Sequence, residues 1–214
     1  MTDNLRSEVE RLVRQVVESM TITDSSRRVP MNISARHLHI TQEDLETLFG
    51  RGAQLTKYRD LMQPGEFASN ETISVIGTNR KVFEQVRILG PARKATQVEL
   101  TFSDGRYLGM QLPARISGNI KDTAPIIIVG PKGILHLKEG TIRALRHVHM
   151  SKQDAQQLGL EQGQTISVRT EGAMGVTFDQ VVVRIGENAL REMHIDTDEA
   201  NAAGLTRDAS GIIL

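Results

Sequence analysis

Apolar residues recur at three- and four-residue steps over residues 4–20: Leu5, Val9, Leu12, Val13, Val16, Val17 and Met20. That period predicts an amphipathic helix whose other face carries Arg6, Glu8, Glu10, Arg11, Arg14 and Glu18. The polar residues 21–28 read as a linker. The N-terminal helix is then either a docking element on a tether or a cap on its own domain.

From residue 29 the pattern changes. Short β-rich runs cover residues 72–76, 82–89, 96–102, 126–129, 165–169 and 176–185. Turn signals close the first four: Gly77, Gly90-Pro91, Ser103-Asp104-Gly105 and Gly130-Pro131-Lys132-Gly133. The last of these reads as a hairpin turn rather than a phosphate loop. Short helices are predicted only near residues 43–49 and 154–158. Many short, closely spaced strands predict a mainly β chain of small barrels capped by short helices.

The chain repeats itself. Arg36-His37-Leu38-His39-Ile40-Thr41, with Asp44, is matched by Arg146-His147-Val148-His149-Met150-Ser151, with Asp154. Each copy is followed by a short leucine-containing helix pattern and a glycine. Two halves related by internal duplication are expected.

Alternation in a strand places residues i and i+2 on one face. His37 and His39 therefore project together, as do His147 and His149, while Leu38 and Val148 face the core. Thr41 and Ser151 stand where a helix N-cap belongs, each with an aspartate three residues on. Paired imidazoles at a strand end make natural metal ligands.

Composition narrows the chemistry. There are no cysteines among the 214 residues, which excludes disulfides, thiolate metal sites and a cysteine nucleophile. Any metal must be held by histidine, carboxylate or water, and there are six histidines. Aromatics make up 3% and the formal net charge is zero, which argues against a nucleic-acid partner. No apolar run approaches the roughly 20 residues that span a bilayer, and no secretory signal is legible. A soluble intracellular protein without a membrane partner is expected.

His194 lies in Glu192-Met193-His194-Ile195-Asp196, where carboxylates could orient its ring, and it is a candidate third ligand for one histidine pair. The other pair needs a third ligand as well, and Glu99, Glu71 and Glu66 all remain open. His136 reads as a strand-face histidine. Arg87, Arg93 and Lys94 flank a Gly-Pro turn. They form either a phosphate clamp or a solvated basic turn.

Several segments together resemble one family. They are Ser34-Ala35-Arg36-His37-Leu38-His39, Arg87-Ile88-Leu89-Gly90-Pro91, Thr96-Gln97-Val98-Glu99, Val129-Gly130-Pro131-Lys132-Gly133, Arg146-His147-Val148-His149, and residues 193–201. The family is the PduL-type phosphate acyltransferases, or phosphate propanoyltransferases. The resemblance runs from about residue 29 to 205 and takes in the N-terminal helix, an encapsulation peptide in microcompartment members.

It implies two small β-barrels: one from residues 27–36 with 145–214, the other from 37–144, preceded by a helix and linker over 1–26. It implies two zinc ions, one on His37, His39 and Glu99, the other on His147, His149 and His194. Arg93 would bind phosphate, and Ser34, Arg87 and Asn201 would lie near coenzyme A. Some members carry cysteine where this chain has Arg146.

The implied reaction joins acyl-CoA and phosphate into acyl phosphate and free coenzyme A, reversibly, with propanoyl or acetyl as the usual group. Without a nucleophilic cysteine or an activated serine motif, direct attack by phosphate is expected, Arg93 holding it in line. The resemblance further implies a homodimer or higher oligomer. It also implies a cytoplasmic location inside a bacterial microcompartment, of the propanediol or ethanolamine type, with residues 1–22 docking on shell or cargo proteins. Two readings from other classes stand beside it: a dinuclear metal hydrolase of small phosphorylated compounds, and a non-catalytic metal-binding microcompartment module.

Overall fold

The computed structural model describes Glu8 and residues 26–206 and 208–214. The N-terminal helix expected over residues 4–20 lies outside this set apart from Glu8, which is helical and exposed.

The chain forms two closed barrels. The first is six-stranded, ordered β1 (Arg28–Ser34), β13 (Glu192–Asp196), β10 (His147–Ser151), β12 (Thr177–Gly186), β11 (Thr165–Thr170) and β14 (Ser210–Ile213). The second is built from β4 (Phe67–Ile76), β5 (Val82–Gly90), β2 (His37–His39), β6 (Gln97–Glu99), β9 (Ile134–Ala144) and β8 (Ala124–Val129), and β8 closes it by pairing with both β9 and β4. Two short edge strands join it, β3 (Lys57–Asp60) on β4 and β7 (Ala114–Arg115) on β9. Strand β1 precedes the second barrel in the chain yet pairs with β13 and β14 of the first.

Each barrel has its own core. Val29, Met31, Val148, Met150, Val183, Met193 and Ile195 fill the first. Leu38, Ile40, Ile73, Val75, Val98, Leu100 and Ile128 fill the second. Fully burying such a side chain contributes roughly 1.5–3 kcal/mol, so each alternating strand is strongly held in one register. Residues 130–133 form the expected hairpin turn between β8 and β9, with Gly130 N–H donating to Gly133 O at 2.9 Å. Gly90 ends β5 under the Phe67 ring, where an added Cβ would stand 2.2 Å from Cζ.

Among the described residues four short helices follow strands: α1 (Gln42–Phe49), α2 (Phe102–Tyr107), α3 (Lys152–Leu158) and α4 (Thr197–Ala202). The alternation over 96–102 predicts a strand running into a turn, and here the structure differs. Only Gln97–Glu99 is strand, and α2 starts where the turn was expected. The reason is a capping box: the Thr101 side chain accepts from Asp104 N–H, and the Asp104 carboxylate accepts from Thr101 N–H.

Candidate metal and anion site

One sequence frame occurs four times. A strand carries a polar, an apolar, a polar and an apolar residue, then an N-cap, with an acid three residues beyond. The copies are His37-Leu38-His39-Ile40-Thr41 with Asp44, Gln97-Val98-Glu99-Leu100-Thr101 with Asp104, His147-Val148-His149-Met150-Ser151 with Asp154, and Glu192-Met193-His194-Ile195-Asp196 with Glu199. The apolar pair of every copy is buried in a barrel core. The polar pair therefore points the other way.

The copies pair within each barrel. Strands β2 and β6 are antiparallel, with His37 opposite Glu99 and His39 opposite Gln97. Strands β10 and β13 repeat this, with His147 opposite His194 and His149 opposite Glu192. Glu99 and His194 thus occupy equivalent positions.

Among the described residues, two groups offer three ligand atoms lying within 4.8 Å of one another: His37, His39 and Glu99, and His147, His149 and His194. Both groups line one cleft of about 620 Å³ whose walls come from both barrels. Of the other glutamates left open by the sequence, Glu66 pairs with Arg93 and Glu71 accepts from the Thr56 backbone and hydroxyl. His136 is exposed on β9.

The donor sets fit a divalent transition metal. His37 Nδ1 lies 2.9 Å from Ala35 O and His147 Nδ1 2.8 Å from Leu145 O, so each Nδ1–H donates to a carbonyl and Nε2 keeps its lone pair. His147 Nε2 and His149 Nε2 stand 3.2 Å apart, close to the ~3.3 Å edge of a tetrahedron with zinc–nitrogen bonds of about 2.0 Å. His39 Nδ1 is buried and makes no hydrogen bond among the described residues.

Protonation suits metal binding too. Burial, with the charges of His37 and Arg93, lowers His39 to about 3. Burial and His194 lower His147 to about 4. Burial and His147 lower His149 to about 3. These rings are neutral at neutral pH, with lone pairs free to donate. Burial pushes the Glu99 carboxyl up, but His37, His39 and a Ser117 hydrogen bond outweigh it and hold it below the ordinary carboxylate value.

Arginines surround the clusters. Arg93 lines the cleft, its Nη2 2.7 Å from Glu66 Oε1 and Nη1 3.4 Å from Ser117 Oγ. Arg87 and Ser34 line it as well, and Arg87 donates to Ser69 O. Asn201 is exposed on α4 and does not line the cleft.

Arg184 is a cleft residue that the sequence reading passed over. It lies opposite His149 in the parallel β10–β12 pair. Burial and the nearby Arg93 charge both lower its pKa. Its only signal is an arginine ending the apolar run Val181-Val182-Val183. Gln97 was passed over too. It donates to Glu99 Oε1 at 2.6 Å and to Ser117 Oγ at 2.8 Å.

Comparison with known proteins agrees with these motifs. Residues 30–206 match the family model of phosphate propanoyltransferase. The chain belongs to the phosphate propanoyltransferase family. As a member it is an acyltransferase. Similar proteins from several bacteria carry that name. That of Lachnoclostridium phytofermentans is 48% identical, covering 96% of both chains. That of Priestia megaterium is 44% identical, covering 96% of this chain and 94% of the relative. That of Thermotoga maritima is 42% identical, covering 91% and 92%. Among the described residues no helix is long and apolar enough to cross a membrane.

Proposed function

We propose that this acyltransferase moves a propanoyl or acetyl group between coenzyme A and inorganic phosphate at the cleft between its barrels. One observation carries the reading: two three-donor clusters, one from each barrel, open on the same cleft as Arg93 and Arg184.

The clusters are read as zinc sites because imidazole and carboxylate donors at these separations suit that ion. Two bound ions would supply Lewis acidity toward an oxyanion in the cleft. The protein supplies the rest. Arg93, freed from Glu66, and Arg184 hold phosphate by charge-assisted hydrogen bonds. Ser34 and Arg87, which line the cleft, would contact the coenzyme there, and Asn201 would meet it only if the coenzyme extends beyond the cleft. A phosphate oxygen attacks the thioester carbonyl carbon, the carbon–sulfur bond breaks, and coenzyme A leaves as a thiolate that takes up a proton. Holding both reactants in one cleft makes that attack effectively intramolecular.

The same reading places the enzyme in a homodimer or larger assembly inside a bacterial microcompartment, with the amphipathic pattern of residues 1–22 docking on shell or cargo proteins. A reporter fused to residues 1–22 then concentrates in microcompartments of cells that make them. A dispersed reporter sinks the targeting.

The deciding experiment follows thiol release from propanoyl-CoA and acetyl-CoA, with and without phosphate, before and after chelation. Release that needs both phosphate and metal supports the transfer and ranks the acyl groups. Release without phosphate replaces it with thioester hydrolysis. Undiminished release after exhaustive chelation removes the zinc.

A further inference from the structure

Glu192 is only 2% exposed, and its carboxylate carries three hydrogen bonds. Asn32 Nδ2 donates to Oε1 at 2.9 Å. His194 Nε2, at 2.9 Å, and Gln63 Nε2, at 3.0 Å, both meet Oε2. Asn32 and His194 belong to the first barrel, on the paired strands β1 and β13. Gln63 does not. It comes from the β3–β4 connection of the second barrel and is itself buried.

The Gln63 amide cannot turn freely. Its Oε1 accepts from Leu190 N–H at 3.2 Å and its Nε2 donates to Leu190 O at 3.0 Å. With the carbonyl end committed to a backbone donor, the amide can show Glu192 only an N–H. The backbone just before β13 thus sets the amide, and the amide sets the carboxylate.

The carboxylate in turn sets the ring. An ionised carboxylate only accepts, so the His194 nitrogen facing it carries the proton. In a neutral ring the lone pair then sits on Nδ1. His37 and His147 hold the opposite tautomer, with Nδ1–H on carbonyls. Glu192 touches His194 but lies outside its three-donor group, so it orients a donor rather than adding one.

We infer that Gln63 is a positioning residue for the His147–His149–His194 cluster, reaching from one barrel to fix, through Glu192, the orientation and tautomer of His194 in the other. The inference rests on reading that cluster as a metal site. It makes that site depend on how the two barrels dock, whereas Glu99 is oriented by Gln97 and Ser117, both of its own barrel.

The test uses full-length metal-free protein and the variants Gln63→Met, Gln63→Asn and Glu192→Gln. Asparagine is one methylene shorter and keeps a polar side chain in the loop without spanning to both Leu190 and Glu192. Zinc binding is titrated against a chromophoric chelator, and imidazole tautomers are read from 15N shifts. The wild type is expected to bind two zinc ions and to show an Nε2–H tautomer at His194. Each variant is expected to lose 10–100-fold in affinity at one ion and to keep the other, with mixed tautomers at His194. Asparagine keeps Gln63 testable if methionine prevents folding. Folded Gln63 variants with both affinities within twofold of wild type and an unchanged His194 tautomer overturn the inference alone. A wild type that binds no zinc at this cluster overturns the metal reading with it.

Discussion

Arg146 Nε stands 2.9 Å from Glu199 Oε1, and Glu199 is the acid of the capping box that starts α4. The other half repeats the pair: Arg36 Nη2 lies 2.8 Å from Asp104 Oδ1, and Asp104 caps α2. Each guanidinium also lies over a phenylalanine, Arg146 over Phe178 at 5.3 Å and Arg36 over Phe83 at 4.1 Å. The arginine before each histidine pair thus ties that strand to the helix following the third donor. Arg146 thus helps to hold α4 in place.

Replacing Arg146 with methionine removes a half-buried charge-assisted hydrogen bond, a loss of about 1–2 kcal/mol. For a chain of this size that lowers Tm by roughly 2–8 °C. Zinc content should stay unchanged. A calorimetric scan and a metal analysis check both, and loss of an ion would make Arg146 part of the site.

His39→Ala and His149→Ala each remove one donor from a different cluster. Each should cost one bound ion and leave the other, with thiol release falling at least ~100-fold, a loss of about 2.7 kcal/mol in transition-state stabilisation. Metal analysis of the purified variants beside their kinetics is the check. Loss of both ions from either variant would mean that the clusters bind as one unit.

Arg93→Ala and Arg184→Ala should each raise the KM for phosphate by about 10–100-fold, the range for one hydrogen bond to a charged group. Lysine at either position should recover only part, because it is a point charge without the planar fork. An unchanged phosphate dependence would remove that arginine from the anion site.

The three depressed histidines set a pH dependence for the metal-free protein. His39, His147 and His149 titrate at about 3–4 in the folded chain against 6.5 for the free side chain. Between those limits the unfolded chain binds more protons than the native one, so stability falls as pH falls from 6.5. The denaturant midpoint should be lower at pH 5 than at pH 7, and zinc at pH 7 should raise it further. A midpoint flat from pH 7 to pH 5 would mean that these rings are solvated.

Local chemistry was legible from the text of the chain. The strand alternation, the paired histidines of the repeat and the caps at Thr41 and Ser151 all depend on neighbours within a few residues. The helix at Phe102–Tyr107 was hidden because Ser103-Asp104-Gly105 also spells a turn, and only the Thr101–Asp104 capping box decides between them.

The sequence by itself determined a mainly β chain of two related halves, a histidine-rich site without thiols, and a family whose motifs it carries nearly end to end. Tertiary structure alone decided which residues meet. Glu99 rather than Glu66 or Glu71 faces His37 because β2 and β6 pair in one antiparallel register. Arg184 reaches the cleft because β12 runs parallel to β10. Gln63 touches Glu192 across 129 positions of chain, and Asn201 stays outside the cleft because α4 turns it to solvent. Strand register and barrel docking join residues far apart in the chain, so no local period records them.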